Sequence, residues 1–229
     1  MSAEMRCVFI TGGTGYMGQR LIPHLLERGH HVRALVRAGS EGKVPSGCTT
    51  IVGDALNEDS YAHQVSPADT FVQLVGVAHP SPTKEAEFRK IDLVAGLAGI
   101  AAANASGVKH LVYLSVAQPA PMMKAYIAVR AECEEKIRLS QMNATILRPW
   151  YVLGPGHRWP YALIPLYWVC ERFPFTRKGA QRLGLITLDQ MSHALVCAIE
   201  NPAHGIRIMG VPEMREWRIN TAQKHSAIA

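Results

Sequence analysis

Short apolar runs alternate along this chain with longer amphipathic stretches, and that alternation predicts strands and helices in turn. The first run, residues 8–11, is β-rich and leads into Thr11-Gly12-Gly13-Thr14-Gly15-Tyr16-Met17-Gly18. An amphipathic helix is expected to open near Tyr16 and to run over 19–28, with Gly29 as its natural stop. Further strands are expected at 31–36, 48–52, 68–75, 109–116 and 144–147, separated by helices over 57–64, 84–105 and 122–140. The helix over 84–105 is apolar on all sides and so should be largely buried. Strands joined by helical crossovers imply an α/β fold of Rossmann type, with a doubly wound parallel sheet.

After Pro149 the pattern changes. Residues 150–160 read as a loop rich in Gly, Pro and aromatics, and 161–171 as an apolar helix. A short strand over 183–187 and a helix over 189–200 follow, with Thr187 and Gln190 spaced as a capping box. A last strand is expected at 205–210, and the tail 211–229 has no clear period. The expected organisation is a cofactor-binding core over 1–149, a small C-terminal substrate lobe over 150–211 interleaved with the last strands, and a tail over 212–229.

Composition narrows the classes. The chain has 229 residues, 48% of them hydrophobic, enough for one domain with a substantial core. No apolar run approaches the ~18 residues of a membrane span. Glu4 and Arg6 sit where the apolar stretch of a secretory leader would lie. The five cysteines are scattered and odd in number, which argues for reduced thiols and a cytoplasmic protein, and against a zinc cluster. Net charge is +6, but the basic residues are dispersed. That suits small anionic ligands at least as well as nucleic acid, and no basic stripe interleaved with aromatics points to RNA. The partners expected are therefore a small-molecule substrate, no nucleic acid, no membrane and no metal.

Gly12, Gly15 and Gly18 recur at every third residue between a strand and a helix. Such a turn suits a pyrophosphate, because backbone can approach it and the helix N-terminus is positive. The spacing differs from G-x-G-x-x-G, and a glycine-rich turn without a ligand is the alternative. Arg37 follows the second strand, with Ser40 and Lys43 nearby and no acid before Glu41. A guanidinium at this place suits a 2′-phosphate and favours NADP over NAD, although an exposed basic loop would read the same way. Asp54, with Ala55, ends the third strand, where it can accept from an adenine amino group or cap the approach to the next helix. Val75 and Gly76 give the fourth strand a small-residue end. Ser115 ends the fifth strand, and Tyr126 and Arg130 share one face of the next helix. A tyrosine beside a cation can transfer a proton near neutral pH.

These residues carry a resemblance. The chain is similar to short-chain dehydrogenases/reductases of the extended or atypical type, the group that includes NmrA-like proteins. The matching pieces, in order, are 11–18, 33–37, Gly53-Asp54, 107–115, 131–134, 145–149 and Gly154-Pro155-Gly156. The resemblance implies NAD(P) at the glycine turn, where Gly12, Thr14, Gly15, Tyr16, Met17 and Gly18 match. It also implies contacts to the nicotinamide side from Pro149, Trp150, Tyr151 and Val152. His157, Arg158, Trp159 and Tyr161 would line the substrate mouth or pack the small lobe. The family's Ser and Tyr-x-x-x-Lys pattern is met by Ser115 and Tyr126, but Arg130 occupies the lysine position. Arginine keeps the charge and can donate to a ribose, yet it does not relay protons. Lys124 points elsewhere on the helix. The implied function is an NADP(H)-dependent oxidoreductase. The alternative is a non-catalytic NAD(P)H-binding sensor or assembly factor. The family implies a monomer or a homodimer, paired through helices around 93–105 and 122–140.

Overall fold

The computed structural model describes residues 4–155 and 164–216. Its centre is a parallel sheet of seven strands. In chain order these are β1 (Cys7–Thr11), β2 (His31–Val36), β3 (Thr49–Val52), β4 (Thr70–Gln73), β5 (His110–Leu114), β6 (Ala144–Leu147) and β9 (Ile206–Met209). The spatial order is β3-β2-β1-β4-β5-β6-β9. The order reverses at the β1–β4 boundary, where Thr11 pairs with Leu35 on one side and Gln73 on the other. In open α/β sheets ligands bind at this switch point, beyond the carboxyl ends of the strands.

The alternation of β1 builds both faces. Val8 and Ile10 pack with Leu21 and Leu25 of α1 (Gly18–Glu27) and with Leu195 of α7 (Leu188–Glu200). Phe9 points the other way, onto Phe71 and Tyr61, with ring centroids 5.3 and 5.9 Å away. That second core continues through Ile100 of α3 (Val94–Ala105) and Cys133 and Ile137 of α4 (Lys124–Leu139). The helices thus cover both faces of the sheet, as the sequence pattern requires.

Several expected elements differ. The helix expected over 57–64 is two 3₁₀ turns, Glu58–Ser60 and Ala62–Gln64. Between them Tyr61 is fully buried, and drawing its ring into the core breaks the helical run. The helix expected over 84–105 is α2 (Glu85–Glu87), a π-helical segment Phe88–Leu93, and then α3. The wider turn turns both Phe88 and Asp92 inward.

The expected loop over 150–160 holds a strand, β7 (Tyr151–Leu153), paired in parallel with β8 (Leu185–Thr187). Between them lie α5 (Ile164–Arg172) and α6 (Pro174–Arg182), of which the pattern foresaw only the first. The capping box at Thr187 and Gln190 is formed. Part of the tail, residues 211–216, is helical, with Val211 and Met214 fully buried. Those two side chains, three apart, close the end of the core, a periodicity too short to read in sequence.

Candidate active site

The glycine turn sits at the carboxyl end of β1. Gly12 has φ +77°, and its carbonyl accepts from Gly15 N at 3.0 Å, which closes the turn. A Cβ at Gly18 would come within 2.6 Å of Gly13 Cα, so the first residue of α1 must lack a side chain. α1 opens at Gly18, two residues later than expected, and no side chain caps it. Its N-terminus therefore faces the turn with its own donors, an arrangement that fits an anion. Tyr16 is half-buried, with the Arg20 guanidinium 4.4 Å above its ring.

The adenosine candidates lie along the same edge. Arg37 is exposed after β2, and its carbonyl accepts from Ser40 N at 3.0 Å in a turn. Asp54 is exposed after β3; its Oδ1 accepts from Leu56 N at 2.9 Å, and its own N–H donates to Ser60 Oγ at 2.9 Å. The carboxylate thus shapes the local turn while remaining open to solvent. Ala55 packs against the second core, and Val75 and Gly76 extend β4 toward the switch point.

Arg130 is buried, and its charge is spoken for within the protein. Nη2 forms an ion pair and hydrogen bond with Asp92, and Nη1 donates to the carbonyl of Leu114 at 3.0 Å and to Tyr113 Oη at 3.4 Å. Asp92 also accepts from Val77 N at 3.0 Å. Burial pushes the Asp92 carboxyl up, and Arg130 and these hydrogen bonds oppose the rise. Burial works against the Arg130 charge too, but Tyr126, Tyr113 and Asp92 outweigh it and hold the guanidinium well above its ordinary value. Gly76 lies directly over the pair: a Cβ there would overlap Arg130 Nη2 and approach Asp92 Oδ1 to 2.9 Å. Tyr126 is half-buried, its ring centroid 5.1 Å from the Arg130 guanidinium and 4.9 Å from Phe88.

Ser115 is buried, and its Oγ donates to Glu134 Oε1 at 2.6 Å. The same carboxylate accepts from Gln118 Nε2 at 2.9 Å and from Arg148 Nε at 3.0 Å, and is ion-paired to Arg148 and Arg138. Glu134 follows Arg130 by four residues and Tyr126 by eight, so one stripe of α4 carries all three. Neither Glu134 nor Asp92 was a sequence candidate. The helical spacing could have flagged Glu134, and Asp92 is the one charged residue in the run 91–105. The Lys124 side chain is exposed.

On the far side, the Pro149 carbonyl accepts from Ala117 N at 2.8 Å. Trp150 and Tyr151 meet edge to face at 5.7 Å, and Val152 packs against the first core. His157, Arg158, Trp159 and Tyr161 lie outside the described residues. All five cysteines are free thiols, and no group among the described residues could hold a metal ion.

Residues 12–158 match the model of the NAD(P)H-binding family. The chain belongs to this family. It is an NAD(P)-binding protein of short-chain dehydrogenase/reductase type. It is 25% identical to the ceramide reductase of Caulobacter vibrioides, over 87% of this chain and 62% of that protein. It is 27% identical to the 3-diazoavenalumate denitrifying reductase of a Streptomyces species, over 86% of this chain and 73% of that protein. The chain thus spans less than two thirds of the length of the first of these reductases. Among solved structures, the Bordetella bronchiseptica enzyme WbmH in complex with NAD+ superposes with a TM-score of 0.67 at 20% identity. That match covers 90% of this chain and 76% of WbmH, and it establishes the shared fold. The NAD(P)H-binding family assignment and the glycine turn agree: an uncapped helix end and a side-chain-free approach fit a dinucleotide pyrophosphate.

Proposed function

We propose that the chain is an NADP(H)-dependent oxidoreductase of the atypical short-chain dehydrogenase type, acting on a small organic carbonyl or alcohol. The observation that carries this reading is Tyr126 held over the buried Arg130 guanidinium, in the first turn of a helix that starts beyond β5. In this reading Gly12, Thr14, Gly15, Tyr16, Met17 and Gly18 hold the pyrophosphate, Arg37 the 2′-phosphate, and Asp54 and Ala55 the adenine. Val75 and Gly76 lie against a ribose, and Pro149, Trp150, Tyr151 and Val152 flank the nicotinamide side. The nicotinamide, when bound, supplies or accepts the hydride. Tyr126 gives its phenolic proton to the substrate oxygen in the reducing direction and takes it back in the oxidising one. Arg130 sets a fixed positive charge beside the Tyr126 ring. It stays protonated and is tied to Asp92, so it is a positioning and electrostatic residue. The Ser115 hydroxyl donates its hydrogen bond to Glu134, so toward a substrate hydroxyl it presents lone pairs and acts as an acceptor. The two reductases that resemble most of this chain support the reaction class.

Tyr126→Phe tests it. Turnover of NADPH with a responsive carbonyl substrate should vanish, with NADPH affinity within about twofold, since only a hydroxyl is removed. Undiminished turnover overturns the role. A second reading is a non-catalytic NAD(P)H sensor or assembly factor. It is favoured by the same ties of the Arg130 Nη groups to Asp92, Leu114 and Tyr113 and of the Ser115 hydroxyl to Glu134. Tight NADPH binding without oxidation across a panel of carbonyls and quinones would select it. An NmrA-like placement, a cytoplasmic site and pairing of two copies across α3 and α4 belong to this proposal as well. The third draws on Val94 and Leu139, exposed on those helices beside Glu132, Glu135 and Lys136.

A further inference from the structure

The corner between α5 and α6 exposes large apolar side chains. Phe175 is 100% exposed, Phe173 60%, Trp168 59% and Val169 43%. Buried water-avoiding surface is the rule for such residues, and a contiguous exposed group marks a contact site. The corner is built rather than loose: Thr176 Oγ1 donates to the carbonyl of Cys170 at 2.6 Å, and Thr176 N donates to Phe173 O at 3.1 Å.

Cations outnumber acids around it. Arg172 stacks 4.3 Å above the Trp168 ring, and Arg177, Lys178 and Arg182 follow on α6, which carries no acid. Phe175, Lys178 and Arg182 fall at helical spacing on one stripe. None of these four cations has a carboxylate partner among the described residues. The nearby Glu171 is occupied by Arg215 at 3.2 Å.

We propose that the α5–α6 corner is a docking surface for an anionic lipid bilayer, with Phe175, Phe173 and Trp168 entering the headgroup boundary and the flanking cations meeting lipid phosphates and carboxylates. Aromatic residues with a cationic rim are the composition of interfacial helices. A few exposed side chains with a cationic rim fit a deformable headgroup layer better than a protein partner, which needs a broad complementary face. A second copy would bring like charges together. A cavity of about 330 Å³ opens beside this stripe, its lining including the cations Arg148, Lys178 and Arg182, with Glu213 as the one acid among them. It lies beyond the carboxyl ends of β5 and β9, so docking would set its mouth at the bilayer surface. The span-length argument excludes a crossing helix among the described residues but does not bear on a surface of this kind.

The test is co-sedimentation of the full chain with vesicles of phosphatidylcholine alone or mixed equally with phosphatidylserine. Binding should require phosphatidylserine, weaken with salt, and fall about fivefold for each of Lys178→Gln and Arg182→Gln. Phe175→Ser should abolish it while melting at the parent temperature, because that side chain touches nothing it would destabilise. Arg89→Gln, an exposed cation elsewhere, should change it little. The proposal is overturned if the parent binds neither vesicle, if Phe175→Ser binds like the parent, or if the parent is a dimer that Phe175→Ser converts to monomer.

Discussion

Arg130, at the position where the family resemblance calls for a lysine, is ion-paired to Asp92 from the π-helical turn, with both side chains almost fully buried. A buried pair of this kind is costly to break, because removing one partner strands the other charge. Asp92→Ala should therefore lower unfolding stability by about 3–5 kcal/mol in urea titrations. It should also weaken NADPH binding, since Asp92 anchors Val77 N beside Gly76. The double variant Asp92→Leu, Arg130→Met should lose less than the sum of the single changes. Strict additivity would mean that the two residues do not act as a pair.

Arg37 bears on cofactor choice. Arg37→Glu replaces a charge-assisted donor with a repelling carboxylate. NADPH affinity should fall about 10- to 100-fold, with NADH changed much less. Fluorescence titration of both cofactors reads the ratio directly, and equal losses would remove the 2′-phosphate role.

His110 sets a pH dependence. It is buried on β5, with Nε2 3.0 Å from Thr145 Oγ1. Burial, then the charges of Arg207 and Arg6, lower its pKa to about 4. The unfolded imidazole titrates near 6.5. Between these values the unfolded chain binds a proton that the folded chain refuses. Stability from this residue is thus fully present above about pH 6.5 and is lost as pH falls to about 4, by up to ~3 kcal/mol. His110→Gln should flatten the unfolding free energy across that window. A slope unchanged by the substitution would place the dependence elsewhere.

Gln141 follows the C-cap residue of α4 with φ +58°, a left-handed position, and is exposed. Glycine adopts that conformation without a Cβ penalty. Gln141→Gly should raise stability by about 0.5–1 kcal/mol, visible as a small rise in melting temperature.

The Rossmann core was legible because its grammar is local. Val8 to Gly18 announces a strand, a tight turn and a helix that must pack closely, and the collision awaiting a Cβ at Gly18 is what the third glycine avoids. The α6 helix and the β7–β8 ladder were missed for the opposite reason. β7 has three residues, and its pairing depends on a partner more than thirty positions away. The site divides in the same way. Ser115, Tyr126 and Arg130 could be placed on a strand end and on one helix face by spacing alone. What their polar atoms bind could not.

By itself the sequence determined the parallel, doubly wound sheet and the side-chain-free glycine turn after β1; the strand order that sets the switch point came from the structure. The sheet and the turn follow from periodicity and from steric limits on a few consecutive residues. The tertiary structure alone decided that Arg130 is ion-paired to Asp92, that the Ser115 hydroxyl donates to Glu134, and that Phe175 faces outward. Each depends on which groups from distant segments meet in a low-dielectric interior, or fail to find cover. Burial and charge pairing are properties of that meeting, and no local pattern contains them.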